Sequence, residues 1–205
     1  MTSMPLERAE RYARKLVEWL EPYCERIRVA GSIRRRRPVC NDVDIVCIPK
    51  STERRDLLGE VIGRTNHCWE FLRAYVRDNA RRVSQLEVSP RFISGGDAEG
   101  KQVIIDLPKC QLDLWFATPA TWGTRLLCRT GSKEHNIWLC ERANARGLHW
   151  NPYEGLTRAP EGLARQGGAV VCNTEEEIYE ALGLQWIQPE NRELGWLRKE
   201  IDCGL

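Results

Sequence analysis

The sequence lacks most of the features that would declare a function at sight. Its nine cysteines form no C-x-x-C pair and no Cys/His ligand spacing, and its three histidines are equally unpatterned. A zinc-finger or thioredoxin-like motif is therefore excluded. The cysteine count is odd and no secretory leader is expected ahead of Met1, so the thiols read as reduced, mostly small buried apolar groups. No apolar run approaches the ~18 residues of a membrane span, and a cytoplasmic location is expected. Charge of one sign is scarce too. The net is +2, with a pI near 8.1, so any signal for nucleic acid must be local. There are no internal repeats and no low-complexity tract. At 205 residues and 42% hydrophobic, the chain can still bury a core as one domain or two small ones.

What is present concentrates in residues 29–48, VAGSIRRRRPVCNDVDIVCI. Two apolar strand-like runs flank a connection that carries Gly31-Ser32, the arginines Arg34 to Arg37, and the pair Asp42 and Asp44. Side chains alternate along a strand, so the two aspartates leave on one face. Like charges held together need a cation, and a hard divalent ion with oxygen ligands supplies one. Gly31-Ser32 offers backbone N–H groups and a hydroxyl to phosphate oxygens, and the arginines add forked donors. Metal on one side and phosphate clamps on the other are the equipment of nucleotidyl transfer.

Along the chain, apolar spacing predicts a helix over 5–21, strands over 26–30 and 43–48, and helices over 52–64 and 67–80. Short strands follow at 91–94, 102–106 and 111–117, separated by glycine and proline breaks. This first part reads as helices against a mixed sheet, an α+β arrangement. From about 120 the character changes. Thr130-Gly131-Ser132 is a turn that caps a helix over 132–146, with Ser132 as N-cap and Gly147 as a left-handed end. Residues 148–172 read as loop and short strand, and Thr174 with Glu177 forms a capping box for a helix over 174–182. A catalytic subdomain of 1–119 and a smaller one of 120–205 are expected.

Asp113, an acid inside the apolar strand QLDLWF, is costly to bury unless paired or metal-bound, and is the candidate third carboxylate. Two ions ~3.5–4 Å apart clamp an in-line displacement at phosphorus. Asp42 and Asp44 could bridge both; Asp113 would hold the ion that activates the nucleophile and accept its proton. Asp106, before Pro108, suits a turn. Among the eight tryptophans, Trp19, Trp69, Trp115 and Trp138 fall on apolar faces and read as core rather than as base-stacking platforms.

With GS-I-RR, D-V-D, a strand L-D and T-G-S-x-x-x-N in place, the chain resembles the family X DNA polymerases of the nucleotidyltransferase superfamily. The match covers VAGSIRRRRPVCNDVDIV, QLDLWFATP, RTGSKEHN with its helix through RANARGL, and the thumb-like EEEIYEALGLQWIQPENRE. It implies a nucleotidyltransferase palm followed by a small α/β thumb. It also implies Asp42, Asp44 and Asp113 as catalytic metal ligands for two Mg²⁺ ions, with Mn²⁺ able to substitute. Ser32 and Arg35 would grip the triphosphate, with the backbone at Asn41 assisting. Gly31, Cys128, Arg129 and Ser132 complete the nucleotide site, with Gly131 along the sugar and Asn136 facing the base. Arg34, Arg91, Gln111, Lys133, Cys140 and Tyr153 would meet DNA, Tyr153 on the template side. The partners implied are a nucleoside triphosphate and primer–template or gapped DNA, with the protein as a monomer.

The resemblance has departures with consequences. The family's lyase domain, DNA clamp and phosphoesterase domain find no counterpart, so a minimal palm-plus-thumb enzyme with modest, salt-dependent DNA affinity is expected. Cys128-Arg129 stand where the family commonly has Tyr-Phe, implying weaker discrimination against a 2′-hydroxyl. Gln111 replaces a common arginine, so Asp113 should be a stronger base, and Cys140 replaces a template-side arginine, implying low fidelity. The expected activity is template-directed extension of a primer 3′-hydroxyl in gap filling or end joining. Template-independent or other nucleotidyl transfer is the rival, and a non-catalytic DNA-end-binding module stands further off.

Overall fold

The computed structural model describes residues 3–78, 90–93, 100–107, 110–151, 155–158, 168–170 and 172–193. They fall into two compact units: residues 1–29 with 38–118, and residues 30–37 with 119–205. The segment Ala30–Arg37 is thus drawn from the middle of the first unit's sequence into the second unit.

The strands of the first unit are β1 (Met4–Pro5), β2 (Cys24–Val29), β3 (Val39–Cys40), β4 (Asp42–Pro49), β5 (Ser51–Arg55), β6 (Val61–Asn66), β7 (Pro90–Ile93), β8 (Gln102–Leu107) and β9 (Cys110–Phe116). Its main sheet runs β2-β4-β9-β8-β7, with β4 and β9 parallel and the other pairs antiparallel. Strand alternation sorts the two faces. Ile27, Val43, Ile45, Cys47, Leu112, Leu114, Phe116, Val103 and Ile105 are buried on one. That face is covered by α3 (His67–Asp78), whose Trp69 meets Phe92 at 5.1 Å and Phe116 at 6.1 Å. Helix α1 (Leu6–Leu20) lies beside it, its Trp19 set edge-on to Phe71 and Tyr75. Gly100 is required where it stands, because a Cβ there would meet Trp69 at 2.8 Å. The other face carries Asp42, Asp44, Gln111 and Asp113, with Arg26 and Arg28 of the edge strand β2 exposed on the same side.

One expected element is different. The helix over 52–64 is instead the β5–β6 hairpin, with Ser51 opposite Asn66 and a bulge at Arg54/Arg55. Asp56 Oδ1 accepts from the Leu58 and Glu60 amides, and Gly59 sits at φ 84°, closing the turn. Leu57, Leu58, Val61 and Ile62, the apparent helical stripe, are all exposed. The tryptophans read as core hold at Trp69, Trp115 and Trp138; Trp19 is half-buried. Asp106 lies in β8 opposite Gln111 and faces Arg91 at 3.8 Å, where a turn was expected.

The second unit holds α2 (Gly31–Arg34), α4 (Trp122–Thr130), α5 (Lys133–Asn144), the antiparallel strands β10 (Leu148–Asn151), β11 (Gly155–Arg158) and β12 (Ala169–Val170), and α6 (Glu175–Ala181). Ser132 caps α5 as expected, its Oγ accepting from the His135 amide, and Gly147 follows the helix at φ 67°. Thr174 Oγ1 accepts from Glu177 N, while Glu177 Oε2 accepts from Asn173 N. Leu127, Trp138, Leu139, Trp150, Leu156, Ile178 and Tyr179 form its core. At Gly123, on α4, a Cβ would meet the Thr174 carbonyl at 2.6 Å, so only glycine lets α4 approach the start of α6.

Candidate functional site

The carboxylates come from the register of two parallel strands in the first unit. Asp44 of β4 stands beside Asp113 of β9, and Asp42 beside Gln111. Neighbouring strands lie ~4.8 Å apart, and paired residues share a face. Asp42, Asp44 and Asp113 are therefore adjacent on the sheet face opposite α3, all half-buried. Gln111 Nε2 donates to Asp113 Oδ1 at 2.6 Å, and Trp115 Nε1 approaches Asp44 Oδ1 at 3.4 Å. Three carboxylates side by side are a hard oxygen donor set that suits Mg²⁺ or Mn²⁺. Asn41, just before Asp42, is exposed.

The glycine–serine turn belongs to the second unit, and there it begins the short helix α2 rather than an open turn. Gly31 adopts φ 59°, which a side chain would strain. The Ser32 hydroxyl is buried without a hydrogen-bond partner, an unmet polar group at the place where phosphate contact was expected. The arginines divide. Arg34 forks onto Glu175 at 2.5 and 2.8 Å and onto Thr130 Oγ1 at 2.6 Å. Arg35 donates to Glu193 at 2.8 Å and to the Thr130 carbonyl, and a Cβ on Gly131 would meet its guanidinium at 3.1 Å. Arg36 and Arg37 are exposed, Arg37 reaching Glu193 at 3.6 Å.

Glu175 also takes Arg192, at 2.9 Å, and both are almost wholly buried. Burial opposes ionisation of Glu175, but the hydrogen bonds from Arg34 and the charge of Arg192 outweigh it and hold the carboxyl below its ordinary range. This buried Arg–Glu–Arg group ties α2 to α6 within the second unit. Sequence gave no sign of it, because Arg34 and Glu175 lie far apart in the chain and Glu175 reads as an ordinary helix-start acid.

The residues expected along the sugar and base sit in the same unit. Gly131 takes φ 68° and its peptide to Ser132 is cis. Asn136 Nδ2 donates to the Cys128 carbonyl at 2.9 Å, linking α5 to the end of α4. Cys128, Arg129 and Cys140 are half-buried and Lys133 is exposed. Burial pushes the Cys128 and Cys140 thiols up from their ordinary pKa. Arg91 is exposed in the first unit, and Tyr153 lies outside the described residues. Arg26 and Arg28, on the carboxylate face, were not singled out, although the alternation R-I-R would have found them.

The DNA polymerase beta thumb family matches residues 125–193. The DNA polymerase/3′-5′ exonuclease PolX of Bacillus subtilis is 28% identical over 193 residues, 93% of this chain and 29% of that protein. The chain is thus similar to family X DNA polymerases. It spans less than a third of that PolX. Two structures of Leishmania infantum polymerase beta share the fold of this chain. The ternary primer–template complex has TM-score 0.59 at 19% identity, covering 94% of this chain and 77% of that one. The ternary gap complex has TM-score 0.63 at 18% identity, covering 94% and 71%. The expected α+β fold, a palm with a thumb, is the one these relatives have. Among the described residues, no helix is long and apolar enough to cross a membrane.

Proposed function

We propose that the chain transfers nucleotides from nucleoside triphosphates to a primer 3′-hydroxyl, directed by a DNA template. The observation that carries this is the pairing of Asp44 with Asp113 in register on parallel strands, with Asp42 two residues before on the same face. Asp42, Asp44 and Asp113 would hold two divalent ions, which lower the pKa of the attacking hydroxyl and neutralise the departing pyrophosphate. Asp113 would take the hydroxyl proton. Ser32, whose hydroxyl lacks a partner, and Arg35 would hold phosphate oxygens. Gly131 and Asn136 would lie along the sugar and base, and Arg26, Arg28, Arg91 and Lys133 would meet DNA phosphates. Residues 1–119 would act as palm and 120–205 as thumb, in a monomer. All cysteines among the described residues are free thiols, as in a reducing, cytoplasmic setting. A role in gap filling or end joining, with dNTPs preferred and rNTPs accepted, follows from the same reading.

Extension of a labelled primer with Mg²⁺ or Mn²⁺ tests the proposal, with and without template. Asp113→Asn is expected to lower incorporation at least about a thousandfold, equivalent to about 4 kcal/mol, while nucleotide binding persists. Equal extension without template favours terminal transfer, for which the absence of a template-side arginine at Cys140 is the specific support. No extension under any condition, with DNA ends still bound, leaves a binding module.

A further inference from the structure

The back of the same sheet holds a second group of potential ligands. Among the described residues, Cys24, Cys47 and Cys68 bring their sulfurs within 4.8 Å of one another. They come from β2, β4 and the first turn of α3, and are 6%, 0% and 0% exposed. The sequence hid this group because no two of the three stand at ligand spacing. The sheet makes the convergence possible. Cys47 pairs with Ile27, and a bulge between Cys24 and Arg26 sets Cys24 opposite Pro49, two residues on from Cys47 and on the same helix-covered face.

We propose that Cys24, Cys47 and Cys68 form a three-thiolate site for a soft, thiophilic ion, with monovalent copper as its type. Sulfur at ~2.3 Å from a central metal places three sulfurs about 4 Å apart in a trigonal plane, within the spacing already present. The group offers sulfur alone, in a water-excluded place, which selects soft ions over Mg²⁺ or Mn²⁺. Zinc prefers four ligands in a tetrahedron, and this group supplies three. On binding, the ion replaces thiol protons, which pass to solvent, and no sulfur changes oxidation state. The bound ion would pin the start of α3 to β2 and β4. The site is independent of the polymerase reading, because it uses neither the aspartates nor the phosphate turn.

Air-free titration of the whole chain with monovalent copper, against a coloured copper chelator, tests this. The protein is expected to withdraw one equivalent. Cys68→Ser and the double variant Cys24→Ala/Cys47→Ala should each weaken uptake by at least about tenfold, whereas Cys110→Ser should not. Since a buried substitution could simply unfold the unit, copper-edge X-ray absorption on the unaltered protein gives a second reading. A shell of three sulfurs supports the site. A shell containing nitrogen or oxygen overturns it, as does uptake no greater than that of Cys68→Ser. A disulfide among the three cysteines in protein kept air-free overturns it in favour of a redox pair.

Discussion

Gln111 Nε2 donates to Asp113 Oδ1 at 2.6 Å, from two residues along the same strand. A neutral amide thus orients the candidate proton acceptor, where the family's common arginine would add a charge. Gln111→Ala removes that donor from a charged acceptor and is expected to lower kcat about tenfold, the loss of ~1.4 kcal/mol. Single-turnover extension at saturating nucleotide measures it. An unchanged kcat would mean that the amide does not position Asp113.

Arg35 cannot serve a triphosphate while it holds Glu193. The two lie 2.8 Å apart, with Arg37 also near the same carboxylate. Phosphate oxygens would have to displace Glu193. Glu193→Gln is therefore expected to tighten nucleotide binding by roughly two- to fivefold, the modest range of a partly exposed ion pair. Arg35→Ala should weaken binding by about tenfold or more. Calorimetry with a non-hydrolysable nucleotide reads both, and tighter binding in Arg35→Ala would contradict the assignment.

His135 makes the second unit sensitive to acid. It is fully buried, shares a 2.6 Å hydrogen bond with the Tyr179 hydroxyl, and has its pKa pulled from 6.5 to about 3, first by burial and then by the charge of Arg192. It stays neutral in the fold but takes a proton in the unfolded chain below about pH 6.5. Stability is then fully present above about pH 6.5 and declines as the pH falls toward 3, by up to about 1.4 kcal/mol per unit. Glu175, held below its ordinary range, adds loss in the same direction at lower pH. Urea melts across this range should show the slope, and His135→Phe should flatten it above pH 5 at a constant cost of ~1–3 kcal/mol for the hydroxyl left behind.

Gly123→Ala should destabilise the second unit by roughly 1–3 kcal/mol. The new Cβ would meet backbone at Thr174, 2.6 Å away, and backbone does not give as a flexible side chain does. Gly147→Ala, with nothing within 4 Å but φ at 67°, should cost about 1 kcal/mol. Thermal unfolding ranks the two, and equal shifts would show that α4 can back away from α6.

The sequence made the carboxylate face legible because its signals are local. D-V-D fixes two acids on one side of a strand, and Asp113 declares itself by being charged among apolar neighbours. The strand order then places Asp44 beside Asp113, which local pattern can suggest but not dictate. The β5–β6 hairpin was illegible for the opposite reason. Leu57, Leu58, Val61 and Ile62 imitate a helical stripe, and the deciding feature is the Asp56 side chain closing a turn at Gly59. Glu175 with Arg34 and Arg192, and the three converging cysteines, are contacts between distant segments. No spacing rule reaches them.

β4 is an interior strand, bonded to β2 on one side and β9 on the other. Sliding it by one residue would turn Asp42 and Asp44 toward the helices and Val43 and Ile45 toward water. The acids cannot wander while the core stays intact. Damage that shifts this strand should therefore cost the acidic face and the fold at one stroke, with no half-working form between.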